Sequence, residues 1–72
     1  MKKVVNGAVL NKNEAKKGML LHEIVFTPKG EKEKISVYVY AKNRLDASNW
    51  LILNHIWGKQ HEVIICNVNL MN

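Results

Sequence analysis

Four side chains of the right chemistry for a metal are spread along the chain: His22, His55, His61 and Cys66. Zinc takes such nitrogen and sulfur donors in a tetrahedron. Their spacing argues against a shared ion. His61 and Cys66 lie five positions apart on one stretch of strand character, so they project to opposite faces. His22 belongs to another strand and His55 to a helix. No pair falls at i, i+2 on a strand or at i, i+4 on a helix. The expectation is no metal site, with Cys66 on the core parity of its strand as a small buried hydrophobe.

Catalytic chemistry has little to work with. The six carboxylates fall mostly in charged loops. No Ser, His and Asp can be placed together, and there is no glycine-rich phosphate loop. The four glycines suit turns, a helix cap and a bulge. The chain therefore reads as a non-enzyme with no cofactor and no small-molecule ligand.

Charge offers a second chemistry. The formal net charge is +5, from 11 cations against six carboxylates. Such a balance suits nucleic acid or an acidic partner. All the cations but Arg44 are Lys, however, and Arg is the usual bidentate reader of phosphates and guanine edges. A chain rich in Lys, Asn and Ile is also what an AT-rich genome encodes, as in small accessory proteins of phages and mobile elements. Lys12, Lys16, Lys17, Lys42 and Arg44 are expected at one end of the fold, close to a helix N-terminus. They form the better anion-binding candidate. Lys2, Lys3, Lys29, Lys32, Lys34 and Lys59 are expected near the other end, diluted by Glu31, Glu33 and Glu62.

The elements that carry these residues follow from hydrophobic period and punctuation. Val4–Leu10 reads as a first strand, weakened or bulged at Gly7. Asn11–Gly18 is a polar loop with room for one helical turn. Met19–Thr27 is a second strand, apolar on both parities. Leu21 and Val25, or else Leu20, Ile24 and Phe26, must then face away from the helix. Pro28-Lys29-Gly30 marks a turn, with Pro at the second turn position and Gly at the fourth. Ile35–Ala41 is a third strand with Ile35, Val37, Val39 and Ala41 on one face and Tyr38 and Tyr40 on the other.

Asn43–Gly58 reads as a helix, with Asn43 as N-cap, Asp46 complementing the first turn and Gly58 as the left-handed stop. At 100° per residue, Ala47, Trp50, Leu51, Leu53 and Trp57 gather on one broad face, which is assigned to the intrachain core. Leu45, Ile52 and Ile56 form a second apolar stripe nearly opposite. His61–Leu70 is a last strand, with Ile64, Cys66, Val68 and Leu70 on the core parity. Val63 and Ile65 then join Tyr38 and Tyr40 on the open face.

The order β-β-β-α-β in 72 residues makes one domain of the α+β class. Its expected form is a four-stranded, mostly antiparallel sheet with one helix on one face. The helix makes a parallel, right-handed crossover, and the last strand lies beside the first. A lone cysteine removes intrachain disulfides and argues for a reducing compartment. No run of residues is long and apolar enough to span a bilayer, and the N-terminus makes a poor signal peptide, so the expected place is the cytoplasm, away from membrane. Chains this small bury a modest fraction of their surface and commonly gain stability from a partner. The expected function is a protein-interaction or regulatory module, a homodimer or a binder of a host protein. Tyr38, Tyr40, Leu45, Ile52 and Ile56 are its candidate contacts. The alternative is nucleic-acid binding through the Lys-rich end.

Overall fold

A computed structural model describes residues 6–28, 30–54 and 63–71 of the chain. The class is α+β. One helix, α1 (Arg44–Asn54), packs against a sheet of three strands: β1 (Leu20–Pro28), β2 (Ile35–Ala41) and β3 (Val63–Leu70). A single 3₁₀ turn spans Lys12–Glu14.

The sheet order is β2-β1-β3, with both outer strands antiparallel to β1. β2 and β3 are thus parallel to each other, and α1 carries the chain from one to the other over β1. This differs from the expected topology in two respects. Among the described residues there are three strands, not four, and the last strand lies beside β1 rather than beside the N-terminal segment. That segment runs along the far edge of β2 and makes only an isolated parallel bridge, Val9 to Tyr38. Val4 and Val5 of the expected first strand lie outside the described residues; between Gly7, with a left-handed φ of 86°, and Asn11, where the chain turns into the 3₁₀ segment, the extended run is too short for a strand.

Short as it is, the segment closes the β2 edge. Ser36, Tyr38 and Tyr40 are the residues whose backbone groups point away from β1, and each finds partners there. Ser36 N–H donates to Asn6 Oδ1 (2.8 Å) and Ser36 C=O accepts from Gly7 N–H (2.6 Å). Tyr38 N–H donates to Ala8 C=O (2.8 Å), and Tyr38 C=O accepts from Leu10 N–H (2.9 Å). Tyr40 is met by a side chain: its N–H donates to Asn11 Oδ1 (2.7 Å) and its C=O accepts from Asn11 Nδ2 (2.8 Å). The Asn11 amide thus takes the place of a peptide group, which explains why this polar residue is buried.

The core lies between the sheet and α1. It comprises Ile24 and Phe26 of β1, Val37, Val39 and Ala41 of β2, and Ala47 and Leu51 of α1. Leu10, Ile35, Trp50, Val63, Ile65 and Val68 pack around it. Strict alternation puts Ile24 and Phe26 inward, which resolves the parity of β1: Leu21 and Val25 are on the open face. His22 shares the inward parity and is buried. Its Nδ1–H donates to Leu20 C=O (2.9 Å).

At the end of β1 the turn is displaced by one residue from its expected position. Pro28 is still in the strand, and its C=O accepts from Glu31 N–H (3.0 Å), so Pro28 is the first turn residue. Gly30 then falls third, where a φ of 87° is required and glycine meets it without strain.

The inward parity of β3 is the reverse of the expected one in its first half. Val63 and Ile65 lie on the core side, while Ile64 and Cys66 are exposed. A bulge is the reason. Val25 pairs with Asn67 and the next residue, Phe26, pairs with Ile65, which leaves Cys66 as the extra residue. Side chains alternate with period two, so one extra residue changes the inward set from 63 and 65 to 68 and 70.

Candidate interaction surface

Helix α1 begins as its sequence predicts. Asn43 Oδ1 accepts from Asp46 N–H (2.9 Å), and Asn43 C=O accepts from Ala47 N–H (3.0 Å), the first helical bond. Ala47 and Leu51, four apart, are fully buried, and Trp50 beside them is half-buried. Trp50 is tied by its indole: Nε1–H donates to Glu14 Oε2 (3.0 Å), which joins the helix to the 3₁₀ turn.

Leu53 was expected with this inward face. It is 71% exposed instead. Its angular position lies more than a quarter turn from the Ala47–Leu51 line, so it falls on the outward arc with Leu45 (67% exposed) and the half-buried Ile52. The outward stripe is therefore Leu45, Ile52 and Leu53. Ile56, Trp57 and the Gly58 stop lie outside the described residues, as do His55 and His61.

The second face of the sheet carries no layer among the described residues. Tyr38 and Tyr40 lie there, half-buried among cross-strand neighbours. The register sets Tyr40 opposite Leu21, Tyr38 opposite Glu23, and Glu23 opposite Asn69, whose Nδ2–H donates to Glu23 Oε1 (3.3 Å). Thr27 stands opposite Ile64, which is 64% exposed, and its Oγ1 is 3.8 Å from Cys66 Sγ. The face is thus mixed: two tyrosines and three aliphatics interrupted by a carboxylate and amides. Val63 and Ile65, expected here, are replaced by Ile64, Cys66 and Asn67 through the bulge.

The basic end is also assembled by specific bonds. Asn11 on Tyr40 and Glu14 on Trp50 bring the loop carrying Lys12, Lys16 and Lys17 beside Lys42 and Arg44. All five cations are exposed. Two carboxylates are interleaved with them: an open cleft of about 180 Å³ at this end is lined by Glu14, Asp46 and Lys42 together with Met19, Tyr40 and Trp50. Lys2, Lys3, Lys29, Lys59 and Glu62 of the other expected cluster lie outside the described residues.

The two described members of the His and Cys set, His22 and Cys66, are not brought together. His22 faces the core and Cys66 the open side of the sheet. Among the described residues no three His, Cys, Asp or Glu side chains gather as a metal-binding group. No helix among them is long and apolar enough to cross a membrane. No family model, curated protein or solved structure matches this chain.

Proposed function

We propose that the chain is a small non-enzymatic protein-interaction module of the cytoplasm, acting as a homodimer or as a binder of a host protein in the manner of phage or mobile-element accessory proteins. The observation that carries this reading is the placement of exposed aliphatics on both sides of a fold with one helix and one sheet. Leu45 and Leu53 stand on the outer side of the helix, and Ile64 stands on the open face of the sheet that also carries Tyr38 and Tyr40, across β1 from them. A second apolar face on a helix calls for a second cover, and large exposed aliphatics gathered on one stripe mark contact sites. Ile52 joins the helix stripe, and Ile56 extends it by the sequence period.

Light scattering on the untagged protein after size exclusion tests the reading. A mass above that of the 8.3 kDa chain, reduced by Leu45→Glu with Leu53→Glu or by Ile64→Lys, is the expected result. A monomer at every concentration that also binds no protein partner would sink it.

The nucleic-acid alternative is supported by the two ties that gather Lys12, Lys16, Lys17, Lys42 and Arg44 at one end. It predicts affinity for single- or double-stranded probes that falls steeply with salt. No mobility shift at low salt would remove it. Glu14 and Asp46 within the same surface weigh against it, because each repels phosphate.

A further inference from the structure

The two edges of the sheet are treated differently. At the β2 edge every outward N–H and C=O of Ser36, Tyr38 and Tyr40 is bonded. The β3 edge has no strand beyond it among the described residues. Met71 N–H donates to Leu21 C=O, which fixes the alternation of the β1–β3 ladder and turns the backbone groups of Val68 and Leu70 outward. Val68 N–H is met only by the side chain of its neighbour, Asn67 Oδ1 at 3.1 Å.

Exposed edges are commonly protected by Lys, by inward charges or by Pro. The eight residues of β3, VIICNVNL, contain none of these. The bulge at Cys66 is the one protective device, and it kinks the edge without charging it. At roughly 3.3 Å per residue the strand offers an edge of about 26 Å, enough for several backbone bonds.

We infer that β3 pairs antiparallel with β3 of a second copy of this chain across a two-fold axis, joining two three-stranded sheets into one of six strands. This inference rests on the interaction-module reading and names the partner of that module. A second copy meets this edge with no like charges opposed, because β3 itself carries none. Each chain carries +5, so two copies repel unless their cations stay apart. Among the described residues the 3₁₀ turn that carries Lys12 packs at β2, across the sheet from β3, so this pairing joins uncharged strands and keeps that turn at the two far edges. The packing agrees. The core residues of β1 and β2 are fully buried, whereas Val63, Ile65 and Val68 remain half-buried and Leu70 exposed, so the core is open on the side where the second strand would add. The Asn67 side chain would yield Val68 N–H to a backbone carbonyl of the partner strand.

Cys66 reports the pairing directly. It is the lone cysteine, exposed and near the middle of β3, and a two-fold axis normal to the sheet places both copies on the same open face. The test combines light scattering with cross-linking by a short bismaleimide on wild type, on Ile64→Lys and on Leu45→Glu with Leu53→Glu. Ile64 and both leucines are exposed, so circular dichroism should show each variant folded. The expected result is a dimer linked through Cys66, weakened at least about tenfold by Ile64→Lys and retained in the helix variant. A dimer that is lost in the helix variant, survives Ile64→Lys and gives no Cys66 link overturns the edge pairing and leaves the interaction-module reading standing. A folded wild-type monomer throughout the micromolar range overturns the edge pairing as well. The broader reading then falls too, unless a different protein binds.

Discussion

The Asn11 side chain stands in for a peptide group, and its energetic weight follows from its burial. It supplies both a donor and an acceptor to Tyr40, and removing it would strand a carbonyl and an N–H at a part-buried edge. Asn11→Ala is therefore expected to cost about 1–3 kcal/mol, read as a lower urea midpoint at unchanged slope. Asn6 bonds Ser36 N–H at an exposed position, where water can replace it, so Asn6→Ala should cost only about 0.5 kcal/mol or less. Equal effects would contradict the edge-sealing role given to Asn11. Nothing in the local sequence marks Asn11 as different from Asn6 or Asn13. All three are polar residues near a loop, and only the meeting with Tyr40, 29 positions away, separates them.

In α1 the angular position of a residue decides its energetic weight. Leu51 is fully buried and Leu53 is 71% exposed, two positions apart on one helix. Leu51→Ala should cost about 2–5 kcal/mol and bring a domain of this size to the limit of stability, whereas Leu53→Ala should stay within about 0.5 kcal/mol. Chemical denaturation of the two variants side by side checks the rotation of the helix. The helix start was legible in Asn43 and Asp46, because a cap is a local bond between residues three apart. The broad inward arc expected for the helix took in Leu53, because apolarity alone does not say how wide a stripe the sheet can cover.

Strand β3 makes the complementary point. Its apolar pairs Val63/Ile65 and Val68/Leu70 lie on opposite parities, which is the mark of an inserted residue between them. Ile64 and Cys66 obscure that mark by adding an apolar pair of their own. Since Cys66 is the extra residue, deleting it should restore a regular ladder with the same four side chains inward. The deletion variant is expected to keep a cooperative melt and a dispersed amide spectrum. Deleting Ile65 instead removes a core contact outright and should lose both, or shift the melt down by several degrees more.

For the whole molecule the governing fact is size. A 72-residue chain, with seven fully or nearly buried apolar residues at its centre among those described, has little stability to spare. Pairing at β3 would link folding to concentration, since binding only the folded state raises apparent stability by mass action. The melting temperature of the wild type should rise with protein concentration, and that of Ile64→Lys should not. Scanning calorimetry over a hundredfold range of concentration decides this, and a concentration-independent wild-type melt would count against self-association.

The sequence by itself determined the α+β class, the strand at Ile35–Ala41 with its tyrosines turned from the core, and the capped start of the helix. Each of these rests on residues within a few positions of one another, where period and hydrogen-bond geometry are enforced by the local chain. Three outcomes came from tertiary packing: which strand lies in the middle, which parity of the first half of β3 faces inward, and that residues 6–11 seal the β2 edge instead of adding a fourth strand. Those outcomes depend on partners dozens of residues away. Backbone pairing is nearly indifferent to sequence, so the choice among pairings is made by packing the whole core at once.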